Sequence, residues 1–234
     1  MRRLSHGSAL CVLALSALSM VPRQSASTRV LFVGNSLTMT NDLPARVREL
    51  SLADGGRWET SAIAYPNYSL EDHWQRGDAA RSIAGGHWTF VVLQQGPSAL
   101  PESRAQLVDF TRRFDAAIRA GGGRTALYMV WPADSRRGDF VGVSQSYGAA
   151  AAAVGGLLLP VGDAWQAAWR DEPRLPLYGD DGFHPSRLGT ALAAIVIYER
   201  LAGRAVSRLP ADWSFTAEQQ GMLLRAAAHT SSLR

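Results

Sequence analysis

Ser36, Asp181 and His184 are the residue types of nucleophilic acyl transfer, standing toward opposite ends of the chain. Ser36 closes the stretch TRVLFVGNS, while Asp181 and His184 share the segment DGFHPS. A serine hydroxyl attacks poorly until a base takes its proton, and a neutral imidazole suits that task near neutral pH. The imidazole in turn needs a carboxylate to fix its tautomer and to stabilise the imidazolium that forms. Asp181 lies three residues before His184, so one short loop can hold both. Pro185 biases His184 toward extended backbone and keeps its ring out of the helix that follows. Helix entry asks for one capping side chain, so an aspartate pair plus a histidine exceeds that need. Simpler readings are Ser36 as a helix cap, Asp181 as a turn or cap residue and His184 as a surface histidine.

The elements that must position these residues alternate regularly. TRVLFVGNS, RWETSAIAY, WTFVVLQQG, RTALYMVWP and LLLPVGDAW read as five strands, most of them continuous apolar runs of the fully buried kind. Between and after them LPARVRELSLADGG, SLEDHWQRGDAARSIAGG, PESRAQLVDFTRRFDAAIRAGGG, FVGVSQSYGAAAAAVGG and SRLGTALAAIVIYERLAG read as helices, with a weaker one near the C-terminus. Strands alternating with helices imply a five-stranded parallel sheet, doubly wound in a three-layer α/β/α sandwich. The working site of such a sheet lies at the carboxyl ends of its strands. There the first strand ends in Gly34-Asn35-Ser36, the third in Gln94-Gln95-Gly96, and the fifth leads toward Asp181 and His184.

Residues 1–27 read differently: a basic head, the apolar run ALCVLALSALSMV and a tail of small residues, the layout of an export signal. Residues 28–234 are expected to form one domain, periplasmic or extracellular once the signal is removed, with no stable membrane insertion. Arg2, Arg3 and Arg23 leave with that segment, which holds no acidic residue, so the formal charge drops from +4 to +1. No nucleic-acid footprint remains. The only cysteine, Cys11, leaves too, which excludes a disulfide, a thiol nucleophile or a cysteine metal site in what remains. His73, His87, His184 and His229 show no metal-ligand spacing, and no glycine-rich phosphate loop joins a strand to a helix. The chemistry expected therefore needs no metal and no cofactor. His73 reads as a structural histidine, Asp163 as a helix cap, and Trp131-Pro132 as either pocket lining or buried packing.

FVGNSLT and DGFHPS, in this order and separated by further strands, resemble the first and last blocks of the SGNH (GDSL-like) hydrolases. The resemblance implies a flavodoxin-like SGNH hydrolase fold, with Ser36 as nucleophile, His184 as base and Asp181 as its partner; the block's spacing leaves Asp180 a turn neighbour. It also implies an oxyanion hole built from the serine N–H, a glycine N–H after the second strand and an asparagine amide after the third. Here the second-strand loop is AYPNYSL, without glycine, and Asn67 is the nearest substitute because asparagine tolerates left-handed backbone. The third-strand loop reads VVLQQGPS, so Gln94 or Gln95 would supply the side-chain amide. A glutamine-bearing third block is similar to that of carbohydrate O-acetylesterases. The expectation is a serine esterase acting on small acyl esters, saccharide acetates for example. The alternatives are a lipase or thioesterase of the same family and a carbohydrate-binding protein that has lost the hole.

Overall fold

The computed structural model of the chain describes residues 27–231, so the expected export segment lies outside the described residues apart from Ser27. In chain order the elements are β1 (Arg29–Gly34), α1 (Ser36–Met39), a 3-10 turn (Thr40–Asp42), α2 (Leu43–Ala53), β2 (Glu59–Ala64), α3 (Leu70–Arg76) and α4 (Asp78–Gly86). Then come β3 (Phe90–Leu93), α5 (Pro101–Ala120), β4 (Arg124–Tyr128), α6 (Phe140–Val154), β5 (Leu157–Leu159), α7 (Val161–Asp171), α8 (Arg187–Ala202) and α9 (Ala217–Ser231). The five strands pair in the order β2-β1-β3-β4-β5, and every pairing is parallel. Helices α3 to α6 pack together on one side, and α2, α7, α8 and α9 on the other.

Burial explains the composition of each element. Val30 to Val33 of β1 are almost wholly buried because the strand has a neighbour on either edge and helices on both faces. β2 is one of the two outer strands, and it accordingly carries mostly polar and small residues and stays half-exposed. α8 is buried nearly throughout, which accounts for the unbroken run ALAAIVIY. Ser186 caps its start by accepting from Gly189 N–H at 3.1 Å.

Two segments differ from the expectation. SLEDHWQRGDAARSIAGG forms two helices, because Gly77 takes φ 79° and ends α3 with a left-handed residue before α4 begins. In LLLPVGDAW only Leu157–Leu159 is strand, and Val161 already starts α7. Pro160 has no N–H to continue the ladder, and the apolar residues beyond it are buried by helix packing.

The sheet reverses direction of winding at β1, which has β2 on one side and β3 on the other. The crevice between the carboxyl ends of β1 and β3 is the switch point at which such sheets bind ligands. Ser36 and Gln94-Gln95 leave the sheet there.

Candidate active site

Ser36 is the first residue of α1, and its cap is its neighbour Asn35, whose Oδ1 accepts from Leu37 N–H at 3.1 Å. The next helix, α2, is capped by Asp42. Neither cap role falls to Ser36, so its hydroxyl is left for another partner. That partner is His184, whose Nε2 lies 2.9 Å from Ser36 Oγ. On the other side of the ring Nδ1 lies 2.5 Å from Asp181 Oδ2. Asp181 Oδ1 accepts from the N–H groups of Phe183 and His184, both at 2.9 Å. Hydrogen bonding to the His184 ring, followed by that to Phe183 N–H, lowers the Asp181 carboxyl to about 2. Asp180 is exposed and makes no hydrogen bond to any described residue.

The loop bearing Asp181 and His184 is fixed from three directions. Trp131 Nε1–H donates to Phe183 O at 3.0 Å, Tyr178 Oη–H to Pro132 O at 2.6 Å, and Asp134 N–H to Gly182 O at 2.8 Å. Trp131 is fully buried and stacks on Trp165 with centroids 3.6 Å apart, so it serves as packing that reaches the loop through one N–H. Pro132 lines a side cavity of about 230 Å³ next to the cleft.

The amides beside Ser36 form a ladder. Gln94 is fully buried. Its Oε1 accepts from Asn35 N–H at 2.9 Å and Thr38 Oγ1–H at 2.8 Å; its Nε2 donates to Asn35 Oδ1 at 2.9 Å and Gln95 O at 2.6 Å. Both amide hydrogens are therefore committed, and Gln94 has none left for a substrate. Its space exists because residue 34 is glycine: a Cβ there would collide with Gln94 Oε1 and Thr38 Oγ1. Asn35 Nδ2 continues the ladder to Tyr68 O at 3.1 Å, in the loop after β2.

Gln95 points the other way. Leu70 N–H donates to its Oε1 at 3.1 Å, which fixes the amide's orientation, and Nε2 uses one hydrogen on Ser98 Oγ at 2.8 Å. The second hydrogen has no acceptor among the described residues. Tyr147 Oη–H holds the Gln95 carbonyl at 2.6 Å, a contact across 52 positions that nothing near Tyr147 in the sequence marks. Asn67 takes φ 64° after Pro66, and Tyr68 N–H closes that turn onto Tyr65 O at 3.2 Å. Ser36, Asn67 and Gln95 line one open cleft of about 340 Å³. Among the described residues neither Ser36 N–H nor Asn67 N–H has an acceptor.

Two other expected residues lie outside the cleft. His73 is fully buried, and its Nε2–H donates to Gly34 O at 2.7 Å, so it braces the strand that carries Ser36. Burial lowers its pKa and favours the neutral ring. Asp163 caps nothing: it sits in the first turn of α7 and accepts from Ser144 Oγ–H at 3.3 Å, its carboxyl pKa raised by burial.

No family model matches the sequence, nor does any curated protein. Solved structures do. A protein from Slackia heliotrinireducens described as an SGNH hydrolase is 27% identical, with TM-score 0.66, over 75% of this chain and 99% of that one. A DUF4886 family protein from Bacteroides uniformis ATCC 8492 is 19% identical, with TM-score 0.72, over 87% of this chain and 94% of that one. The lipase/acylhydrolase from Enterococcus faecalis is 17% identical, with TM-score 0.60, over 78% of this chain and all of that one, 100%. The last two are likenesses of fold.

Proposed function

The chain belongs to the SGNH/GDSL hydrolases and is an ester-hydrolysing enzyme, and from that premise we propose that Ser36 attacks small acyl esters of polar alcohols, saccharide acetates among them. The observation that carries the site assignment is the unbroken chain Ser36 Oγ, His184 Nε2, His184 Nδ1, Asp181 Oδ2. As Ser36 Oγ bonds to the acyl carbon, its proton passes to His184 Nε2 and the carbonyl electron pair moves onto oxygen. Collapse breaks the bond to the alcohol oxygen, which takes the proton back from Nε2. Water then repeats the sequence on the acyl-enzyme and frees the acid and Ser36. Asp181 stays charged throughout and orients the ring.

The oxyanion hole of this reading comprises Ser36 N–H, Asn67 N–H and Gln95 Nε2–H, whereas Gln94 positions Asn35 behind them. Asn67 supplies the left-handed backbone that a glycine supplies elsewhere in the family, which weakens the case for a binding protein that has lost the hole. Losing one oxyanion donor costs about 100- to 1,000-fold in turnover. Gln95→Leu should therefore lower kcat by that factor, with KM for p-nitrophenyl acetate moving far less. Gln94→Leu should act first on stability, by about 1–3 kcal/mol, because it leaves buried donors at Asn35 and Thr38 unpaired. Kinetics and thermal melting of the two variants separate the roles. A larger kcat loss at Gln94 with its melting temperature unchanged would reverse the assignment.

Small acyl groups are favoured by the cleft's lining. Around Ser36 the polar side chains of Asn35, Asn67, Ser69, Gln95, Ser98 and Gln106 outnumber the apolar rings of Tyr68, Pro97 and Phe183, and among the described residues no Leu, Ile, Val or Met lines the cleft. A long acyl chain would find only the rings of Tyr68, Pro97 and Phe183 there, with no run of aliphatic side chains to repay its leaving water. With p-nitrophenyl esters, kcat/KM should be highest for acetate and at least ten-fold lower for octanoate. A rise with chain length would favour the lipase or thioesterase reading instead. Export of the enzyme, suggested by residues 1–27, fits a substrate met outside the cytoplasm and is testable by N-terminal sequencing of the exported protein.

A further inference from the structure

A cavity of about 390 Å³ lies outside the cleft that holds Ser36, and it falls within the usual range for small-molecule sites. It is tied to the catalytic segment by covalent neighbourhood and by hydrogen bonds. Arg187 in its wall follows His184 by three residues, and Asn41 Nδ2–H donates both to Pro185 O at 3.0 Å and to Thr190 Oγ1 at 2.9 Å. His184 must return a proton to the leaving alcohol, so the alcohol half of an ester lies on the imidazole side of Ser36. The oxyanion donors at Asn67 and Gln95 serve the carbonyl oxygen.

The lining has a definite chemistry. Asn41 and Asp42 are adjacent residues at φ 55° and 53°, a left-handed backbone that Asn and Asp adopt more readily than other non-glycine residues but that is uncommon twice in succession. Asp42 spends Oδ1 on its helix cap, and Asn41 Oδ1 has no partner among the described residues. Arg46 is paired with Glu49 at 2.7 Å, and Glu49 also accepts from Trp213 Nε1–H at 2.7 Å. Arg187 bonds only to Trp213 O, at 3.3 Å, and has no carboxylate partner among the described residues. Glu49, behind the lining, neutralises Arg46, which leaves Arg187 and Asp42 as the opposite charges of the wall, so the formal charges sum to zero. Trp213 and Phe215 close the cavity with rings inclined at 85°. A net-neutral cavity with forked donors, free carbonyl and carboxylate oxygens and an aromatic wall matches vicinal hydroxyls on a carbon ring. It lacks the net positive charge that would select an anion and the aliphatic lining that would select a fatty alcohol.

We infer that this cavity binds a neutral sugar ring, the alcohol part of the ester that Ser36 cleaves. The inference rests on the hydrolase reading, and two measurements keep the two apart. Wild type, Arg187→Ala and Phe215→Ala would be assayed on glucose pentaacetate and p-nitrophenyl acetate. The ratio of kcat/KM for the sugar ester to that for the aryl ester should fall about ten-fold in each variant. A ratio within two-fold of wild type in both overturns the subsite while leaving the hydrolase intact. Separately, Ser36→Ala protein would be titrated with the methyl glycosides of glucose, galactose, mannose and xylose and followed by heteronuclear NMR. At least one should shift the amides of Arg187, Thr190 and Phe215, and Arg187→Ala in that background should weaken its binding about ten-fold. If wild type cleaves neither ester, the hydrolase reading fails and the titration alone decides the subsite. Failure of all four glycosides to shift those amides overturns it.

Discussion

Alanine at Ser36 should lower kcat on p-nitrophenyl acetate by about a million-fold, the loss seen when a triad nucleophile is removed, and should abolish covalent labelling by a fluorophosphonate. The side chain's hydrogen-bond partner is His184, and the α1 start is held by Asn35 rather than by Ser36. Melting temperature should therefore stay close to wild type, which makes the comparison clean. Labelling that persists in Ser36→Ala would move the nucleophile elsewhere. A wild-type protein that neither labels nor turns over would point to the carbohydrate-binding reading.

Asparagine at Asp181 should lower kcat by about 10,000-fold, because an amide facing His184 Nδ1 favours the wrong imidazole tautomer. The carboxylate does three things at once: it accepts from the ring and from two backbone N–H groups of its own loop. An isosteric amide retains one acceptor oxygen for the backbone, so the loop should keep its shape while the ring loses its partner. Asp180→Asn should cost little, as that side chain is exposed and bonds to no described residue. Equal losses at the two positions would mean that the loop, and not the ring contact, had been disturbed. The pH profile adds a second readout. The Asp181 carboxyl, held down to about 2 by its bond to His184, remains charged at every practical pH. Acid should therefore reduce kcat/KM along a single limb, that of a protonating imidazole base, and a second carboxylate limb near pH 4 would contradict the pairing.

Most of the sheet was legible because a strand buried on both faces must be apolar along its whole length, as Val30 to Val33 are. The same rule misleads where a helix is buried all round. Val161 and Gly162 belong to α7 yet are as buried as any strand residue, and over five residues apolar content cannot distinguish the two. The break at Gly77 was written in the sequence, but a glycine inside a helical pattern is often tolerated, and only its left-handed φ decides. For the site, residue types and spacing sufficed to bring Ser36, Asp181 and His184 forward as a group. Choosing between Gln94 and Gln95 did not follow from sequence. Neighbours on an extended chain point to opposite faces, and which face meets the cleft depends on register. β1 and β3 pair Val33 with Leu93, which sets Gln94 beside the bare α-carbon of Gly34. The bracing contacts of Trp131, Tyr147 and His73 were out of reach for a related reason. Each joins segments distant in sequence, and nothing local records the partner.

Ser36 and His184 meet across 148 positions, whereas Asn35 and Gln94 meet across 59. Closing a contact costs more chain entropy as the intervening loop lengthens, although slowly, and long-range pairings tend to form late. The nucleophile and its amide ladder can thus be organised by the first three strands, while the base arrives only when the segment leading into α8 docks. A chain still emerging from the ribosome, or one truncated before Asp181, has the serine but not its base. Turnover is in this sense a late reporter of folding, and esters around an unfinished chain are safe from it.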